Sequence, residues 1–143
     1  MFKPQQSLSI QWKLILLFSL THLLHSSHGD VGTASYYDPP FFPTACYGDD
    51  SSQLPDNNMF GAAGEGIWDN EASCGREYLV SCLSAAKKGT CKGGSIKIKI
   101  VDRAATAVSK GSSPRTTIVL SPTAFASIAN PSASRINIEY QQV

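Results

Sequence analysis

Ser95-Ile96-Lys97-Ile98-Lys99-Ile100-Val101 decides the fold class. Successive side chains of a strand point to opposite faces. This alternation therefore predicts a β-strand with Ile96, Ile98 and Ile100 on a buried face and both lysines in water. Upstream, residues 77–82 alternate in the same way. Downstream, residues 116–120 form a near-continuous apolar run, which suits a strand covered on both sides. Residues 31–37 are rich in β-formers and end at Asp38-Pro39-Pro40, because proline cannot donate to a ladder. Residues 59–63 read as a short apolar strand and residues 136–140 as a last alternating one.

The connections carry turn chemistry. Residues 38–58 are dominated by Pro, Asp, Asn, Ser and Gly and predict a long surface loop. Gly64-Glu65-Gly66 predicts a turn, residues 67–70 a helical turn, and residues 87–94 a turn-rich excursion. Residues 104–115 predict a polar, flexible loop. Ser121-Pro122 opens a helix, since serine caps free amides and proline suits the first helical position. Phe125 and Ile128 then share a face, and Asn130-Pro131 stops the helix. Six short strands and one short helix make a small β-barrel the economical architecture.

The N-terminus reads as an export signal. Lys3 and Lys13 precede LILLFSLTHLL at 14–24, and small residues follow at Ser26, Ser27 and Gly29. The apolar run of 11 residues is short of the roughly 20 that a spanning helix needs. The expected organisation is a signal peptide over 1–29 and a single domain over 30–143. Cleavage there removes His22, His25 and His28, the only histidines, and with them Ser–His, Cys–His and imidazole–metal chemistry. It also removes two lysines and no acid, which leaves 10 basic against 11 acidic residues. That balance offers nothing to attract nucleic acid. Lys87-Lys88 and the alternating Lys97 and Lys99 read as solvated faces.

Cys46, Cys74, Cys82 and Cys91 form an even set in a chain read as exported, so pairing is expected, with three connectivities open. None belongs to a CxxC motif, which argues against zinc. Gly61-Ala62-Ala63-Gly64-Glu65-Gly66 is glycine-rich but lacks the Lys-Ser/Thr ending of a phosphate loop, and reads as a turn.

Several motifs come in a familiar order: Gly32-Thr33-Ala34-Ser35-Tyr36-Tyr37-Asp38-Pro39-Pro40, Ala45-Cys46-Tyr47-Gly48, residues 74–82 (CGREYLVSC), Ile100-Val101-Asp102-Arg103, residues 120–129 (LSPTAFASIA) and residues 135–140 (RINIEY). In this order the chain resembles the plant natriuretic peptide group, also called EG45-like domain proteins, relatives of the first domain of expansins. The resemblance implies a six-stranded double-psi β-barrel with one or two short helices. It implies the pairing Cys46–Cys74 and Cys82–Cys91. It implies two further cysteines after the Val-Asp motif, where this chain has Ala104-Ala105-Thr106-Ala107-Val108-Ser109-Lys110 instead. The 104–115 loop is therefore expected to be looser than in relatives.

The resemblance also locates a groove. Ser35, Tyr37 and Asp102 match its polar positions, while Val119 stands where related wall hydrolases and expansins carry a second acid and Ala104 stands for a groove aromatic. Glycoside hydrolysis uses two carboxyl groups flanking the bond. Asp38 is near the glycosidase base position but one residue off, which in a strand means the opposite face. Tyr36, Tyr37, Tyr47 and Trp68 are sugar-stacking candidates that also read as ordinary strand and core aromatics. The implied function is a secreted, non-enzymatic signalling protein of the apoplast with a role in water and ion balance, acting through a plasma-membrane receptor. The alternative is a non-hydrolytic module that binds or loosens wall polysaccharide; a weak hydrolase is the third reading. The protein is expected to be a monomer without cofactor, metal, nucleic acid or membrane insertion.

Overall fold

The structure, a computed structural model, describes residues 12–16, 29–109 and 111–143. Residues 12–16 form an exposed helical turn; apart from these and Gly29, the predicted signal peptide lies outside the described residues. Six strands follow: β1 (Asp30–Tyr36), β2 (Phe60–Ala63), β3 (Glu77–Ser84), β4 (Ser95–Arg103), β5 (Ile118–Leu120) and β6 (Ile136–Gln142). Helix α1 (Glu65–Trp68) follows β2, and α2 (Pro122–Ile128) follows β5. Single 3-10 turns occur at Ser51–Gln53 and Ala104–Thr106.

The strands close in the order β1-β5-β2-β4-β3-β6. β1 runs parallel to β5 and β2 to β4, while the other four pairings are antiparallel. Closure leaves no edge strand to template further pairing. Ala34, Val80, Ile98, Ile100, Ile118, Leu120, Ile136 and Ile138 fill the interior together with Phe125 and Ile128 of α2. The face of α2 predicted from the spacing of Phe125 and Ile128 is thus the one that plugs the barrel.

Lys97 is exposed as expected, but Lys99 is not simply solvated. It is half-buried, its Nζ donates to the Gln53 carbonyl at 2.8 Å, and it lies over the Tyr47 ring at 4.9 Å. The 38–58 segment folds back across that part of β4 and gives the ammonium a partner that alternation alone cannot supply. The predicted Gly64–Gly66 turn is absorbed into α1, with Gly64 as its N-cap. A Cβ at Gly64 would collide with the Thr116 carbonyl oxygen, so glycine permits this close approach.

Both disulfides pair as the resemblance implies, Cys46–Cys74 and Cys82–Cys91. They span 28 and 9 residues, and loop-closure entropy gives the longer one about 3.6 kcal/mol as an upper value and the shorter about 1 kcal/mol less. Replacing Cys46 and Cys74 together by serine is expected to lower stability more than replacing Cys82 and Cys91, by that difference, in denaturant melts. Ser121 is buried and both accepts from the Ala124 amide (3.1 Å) and donates to the Asn58 carbonyl (2.6 Å). Ser121→Ala removes the cap and strands a carbonyl, so a loss of about 2–3 kcal/mol is expected in the same assay.

Candidate functional site

The site is built on the outer face of β1, β5, β2 and β4. Ser35 pairs with Val119, Val119 with Ala62, and Ala62 with Asp102, so these four residues form one row across four strands. Directly paired residues share a face. Alternation alone would have put Asp102 elsewhere: Ile98 and Ile100 point into the barrel, and the next even-numbered side chain should follow them. Instead the register shifts between Gly61 and Ala62, so that Ile100 pairs with Gly61 and Asp102 with Ala62. Val101 is the extra residue. This β-bulge turns Asp102 to the outer face.

A second apolar cluster covers that face, made of Tyr37, Phe60, Ala62, Val101, Ala104 and Val119, with Phe41, Tyr47, Leu54 and Ala107 packed against it. Phe41 contributes edge-on contacts to Tyr37 (5.1 Å) and Phe60 (5.0 Å) between ring centroids. Two segments form the cover. The 38–58 segment supplies Phe41 and Leu54 and is clamped at Cys46. The 104–116 segment is held by hydroxyls: Ser109 Oγ donates to the Asp38 carbonyl, Ser112 Oγ to the Ala104 carbonyl (2.8 Å) and Thr116 Oγ1 to the Ser113 carbonyl (2.9 Å). The loop expected to be flexible thus begins with a 3-10 turn and is anchored at three hydroxyls.

All three expected groove residues are brought together, and all are buried: Ser35 is 7% exposed, Tyr37 1% and Asp102 1%. Ser35 Oγ shares a hydrogen bond with Thr116 Oγ1 at 3.1 Å. Asp102 Oδ1 accepts from the amides of Ala45 and Arg103, both at 2.8 Å. Its Oδ2 and the Tyr37 hydroxyl are buried without a hydrogen-bond partner. Burial raises the Asp102 carboxyl above the usual carboxylate range, against the lowering effect of those two amides. Burial, and then the nearby Asp102 charge, push the Tyr37 phenol far up. Thr116, Ala45 and Phe41 are members the sequence reading missed. A buried threonine four residues from Ser112 and an alanine beside a cysteine carry no chemical signal of their own.

Val119 is fully buried within the row, between Ser35 and Ala62. Asp38 is exposed, and its backbone carbonyl accepts from Ser109 Oγ. One carboxyl group therefore stands in the row where a hydrolytic pair needs two. Among the described residues, no three His, Cys, Asp or Glu side chains cluster as metal ligands. Of the aromatic candidates, Tyr37 and Trp68 are buried, and Tyr36 stacks on Phe125 (4.8 Å) while donating to the Pro131 carbonyl (3.0 Å). Beyond the row, Arg103 makes a two-point pair with Glu65 (2.8 and 3.0 Å) and lies 5.8 Å from the Trp68 ring.

This combination of a closed six-stranded barrel with crossed parallel pairs and a Ser-Tyr-Asp row defines an expansin-related double-psi β-barrel. A family model described as Lytic transglycolase matches residues 61–140. A solved point mutant of a Clavibacter michiganensis expansin, in complex with cellohexaose, superposes with a TM-score of 0.58 at 19% identity over 79% of this chain. The chain spans 49% of that expansin. An EG45-like domain containing protein of Citrus jambhiri is 38% identical over 135 residues, covering 91% of this chain and 95% of the relative. A putative EG45-like domain containing protein 1 of Arabidopsis thaliana is 36% identical over 132 residues, covering 90% and 97%. The chain belongs to the EG45-like domain family.

Two substitutions probe the row. Asp102→Asn keeps an oxygen for the Ala45 and Arg103 amides and removes the titratable group. A carboxyl raised in the folded state favours folding when protonated and costs stability as pH climbs from its unfolded value, about 3.9, through its folded one. Across that window, the melting temperature of the Asn variant is expected to rise relative to the parent as pH increases, then hold level. Val119→Asp puts a second, unpaired charge among Tyr37, Phe60 and Val101. A loss of about 3–5 kcal/mol is expected in urea melts.

Proposed function

We propose that this protein is a secreted, non-hydrolytic recognition protein of the wall space, acting as a signal read by a component of the plasma membrane. The observation that carries the reading is the row itself. It holds a single carboxyl group, buried, with Val119 in the place of a partner acid, so no acid and base flank a bond. With catalysis set aside, function falls to the surface. The part best suited to recognition is the stretch from Cys46 to Cys74.

That stretch is clamped at both ends, and its shape is set before any partner arrives. Asp69, Asn70 and Glu71 hold consecutive positive φ angles of 52°, 47° and 71° and are exposed. Left-handed non-glycine residues cost about 1–2 kcal/mol each and persist where the surroundings enforce them. Here the Cys46–Cys74 bond and the Arg76–Asp69 pair (2.9 Å) do so. A preset surface loses less conformational entropy on binding.

Polysaccharide binding is the second reading, favoured by the solved expansin complex with cellohexaose. It requires a site other than Ser35, Tyr37 and Asp102 as they stand, or withdrawal of the segments that cover them. Side-by-side binding of the purified protein to isolated plant plasma membranes and to two uncharged polymers, cellulose and fully methyl-esterified pectin, separates the two. Asp49 and Asp56 are exposed carboxylates of the 46–74 stretch, and saturable, protease-sensitive membrane binding that falls at least tenfold in Asp49→Lys/Asp56→Lys is expected, with no release of reducing sugar from either polymer. Membrane binding indifferent to those substitutions, or sugar release abolished by Asp102→Asn, overturns the proposal.

A further inference from the structure

Charge is segregated along this chain. No Asp or Glu occurs between Glu77 and Asp102, nor between Asp102 and Glu139. Residues 83–95 and 121–135 therefore contain Lys87, Lys88, Lys92 and Arg135 and no carboxylate. The fold gathers these stretches at one end of the barrel. The isolated bridge Cys91↔Ala129 and the Asn130 amide to the Thr90 carbonyl (2.9 Å) join the loop after β3 to the end of α2. Asn137 Nδ2 donates to Ser84 Oγ at 2.9 Å, which brings Arg135, just before β6, to the same end. The cations elsewhere on the sheet are already engaged: Lys97 with Glu77, Arg76 with Asp69, Arg103 with Glu65 and Lys99 with the Gln53 carbonyl. Lys87, Lys88 and Arg135 are exposed and, among the described residues, in no ion pair.

The loop that carries the two lysines is rigid. Cys82–Cys91 closes it, and Thr90 Oγ1 donates across it to the Lys87 carbonyl at 2.7 Å. Residues 83–91 line an open surface depression of about 370 Å³. Its lining combines Leu83, Ala85 and Ala86 with Lys87 and Lys88. An open site of mixed apolar and cationic lining suits a ring that bears a carboxylate: the C–H face packs and the acid pairs. A planar anionic bilayer would instead call for basic residues around a protruding apolar face.

We propose that the Cys82–Cys91 loop is a docking site for carboxylated polysaccharide, a chain of uronic-acid residues, with Lys87 and Lys88 pairing to its carboxylates and Arg135 extending the contact. The site is separate from the Ser35–Asp102 row and from the 46–74 stretch, so it holds the protein in the wall whatever that stretch binds. The test is co-sedimentation and calorimetry of the whole protein with de-esterified polygalacturonate, with the same polymer fully methyl-esterified, and with vesicles of 30% phosphatidylserine. Binding to the acidic polymer that weakens steeply between 50 and 200 mM salt (roughly the range in which polyelectrolyte contacts are lost) is expected, with little to the ester or the vesicles. Lys87→Glu/Lys88→Glu is expected to lose at least tenfold in affinity with an unchanged melting temperature, since neither side chain is in an ion pair; of two single reversals with the same change of charge, Lys88→Glu is expected to weaken binding and Lys97→Glu to bind as the parent does. Equal affinity for the esterified polymer, tighter binding to the vesicles, or equal losses in both single reversals overturns the proposal. Membrane binding through Asp49 and Asp56 is read separately, so either assignment can fail alone.

Discussion

The extra residue at Val101 sets the character of this molecule. With an unbroken ladder between β2 and β4, Asp102 would follow Ile98 and Ile100 into the barrel, and an unpaired carboxyl would sit among Ile118, Leu120 and Phe125. The bulge moves it outward, into line with Ala62, Val119 and Ser35, where the amides of Ala45 and Arg103 satisfy one of its oxygens. The same step places Val101 on the outer face, where it helps found the second apolar cluster. One inserted residue thus divides the domain into an interior core and a capped outer face.

The capped face keeps the barrel's polar row in register while closing it under apolar side chains. The row still holds hydroxyl, phenol and carboxyl groups in register, but each is buried and neighbours apolar side chains. Val119 fits that setting better than an acid would, because a charge there would face Asp102 across Ala62 in a buried site. The surfaces to which we assign recognition are the ones the disulfides hold: the stretch closed by Cys46–Cys74 and the smaller loop closed by Cys82–Cys91.

Much of this was legible in the sequence because local pattern and burial agree. The Ile98/Ile100 alternation and the Ser121-Pro122 cap reappear as strand and helix start, and the apolar 116–120 run as a doubly covered strand over its last three residues, Ile118–Leu120. The bulge was not legible, since nothing in Ile100-Val101-Asp102 distinguishes a continued ladder from a shifted one; the shift belongs to the pairing with β2. Lys99 was misplaced for a related reason. Its partner, the Gln53 carbonyl, is 46 residues away and becomes available only when the 38–58 segment folds back. The burial of Ser35, Tyr37 and Asp102 depends on the same tertiary event, so a groove inferred from a motif is found beneath Phe41 and Ala104.

The two halves of the cover are fastened by different chemistry. On one side a covalent bond at Cys46 closes the segment, and on the other the hydroxyls of Ser109, Ser112 and Thr116 do the fastening. A sulfur–sulfur bond yields only to a reductant, whereas isolated hydrogen bonds break and re-form under ordinary thermal motion. Loosening the cover on the 104–116 side therefore costs hydrogen bonds and packing but no covalent bond, whereas the other side keeps its clamp at Cys46.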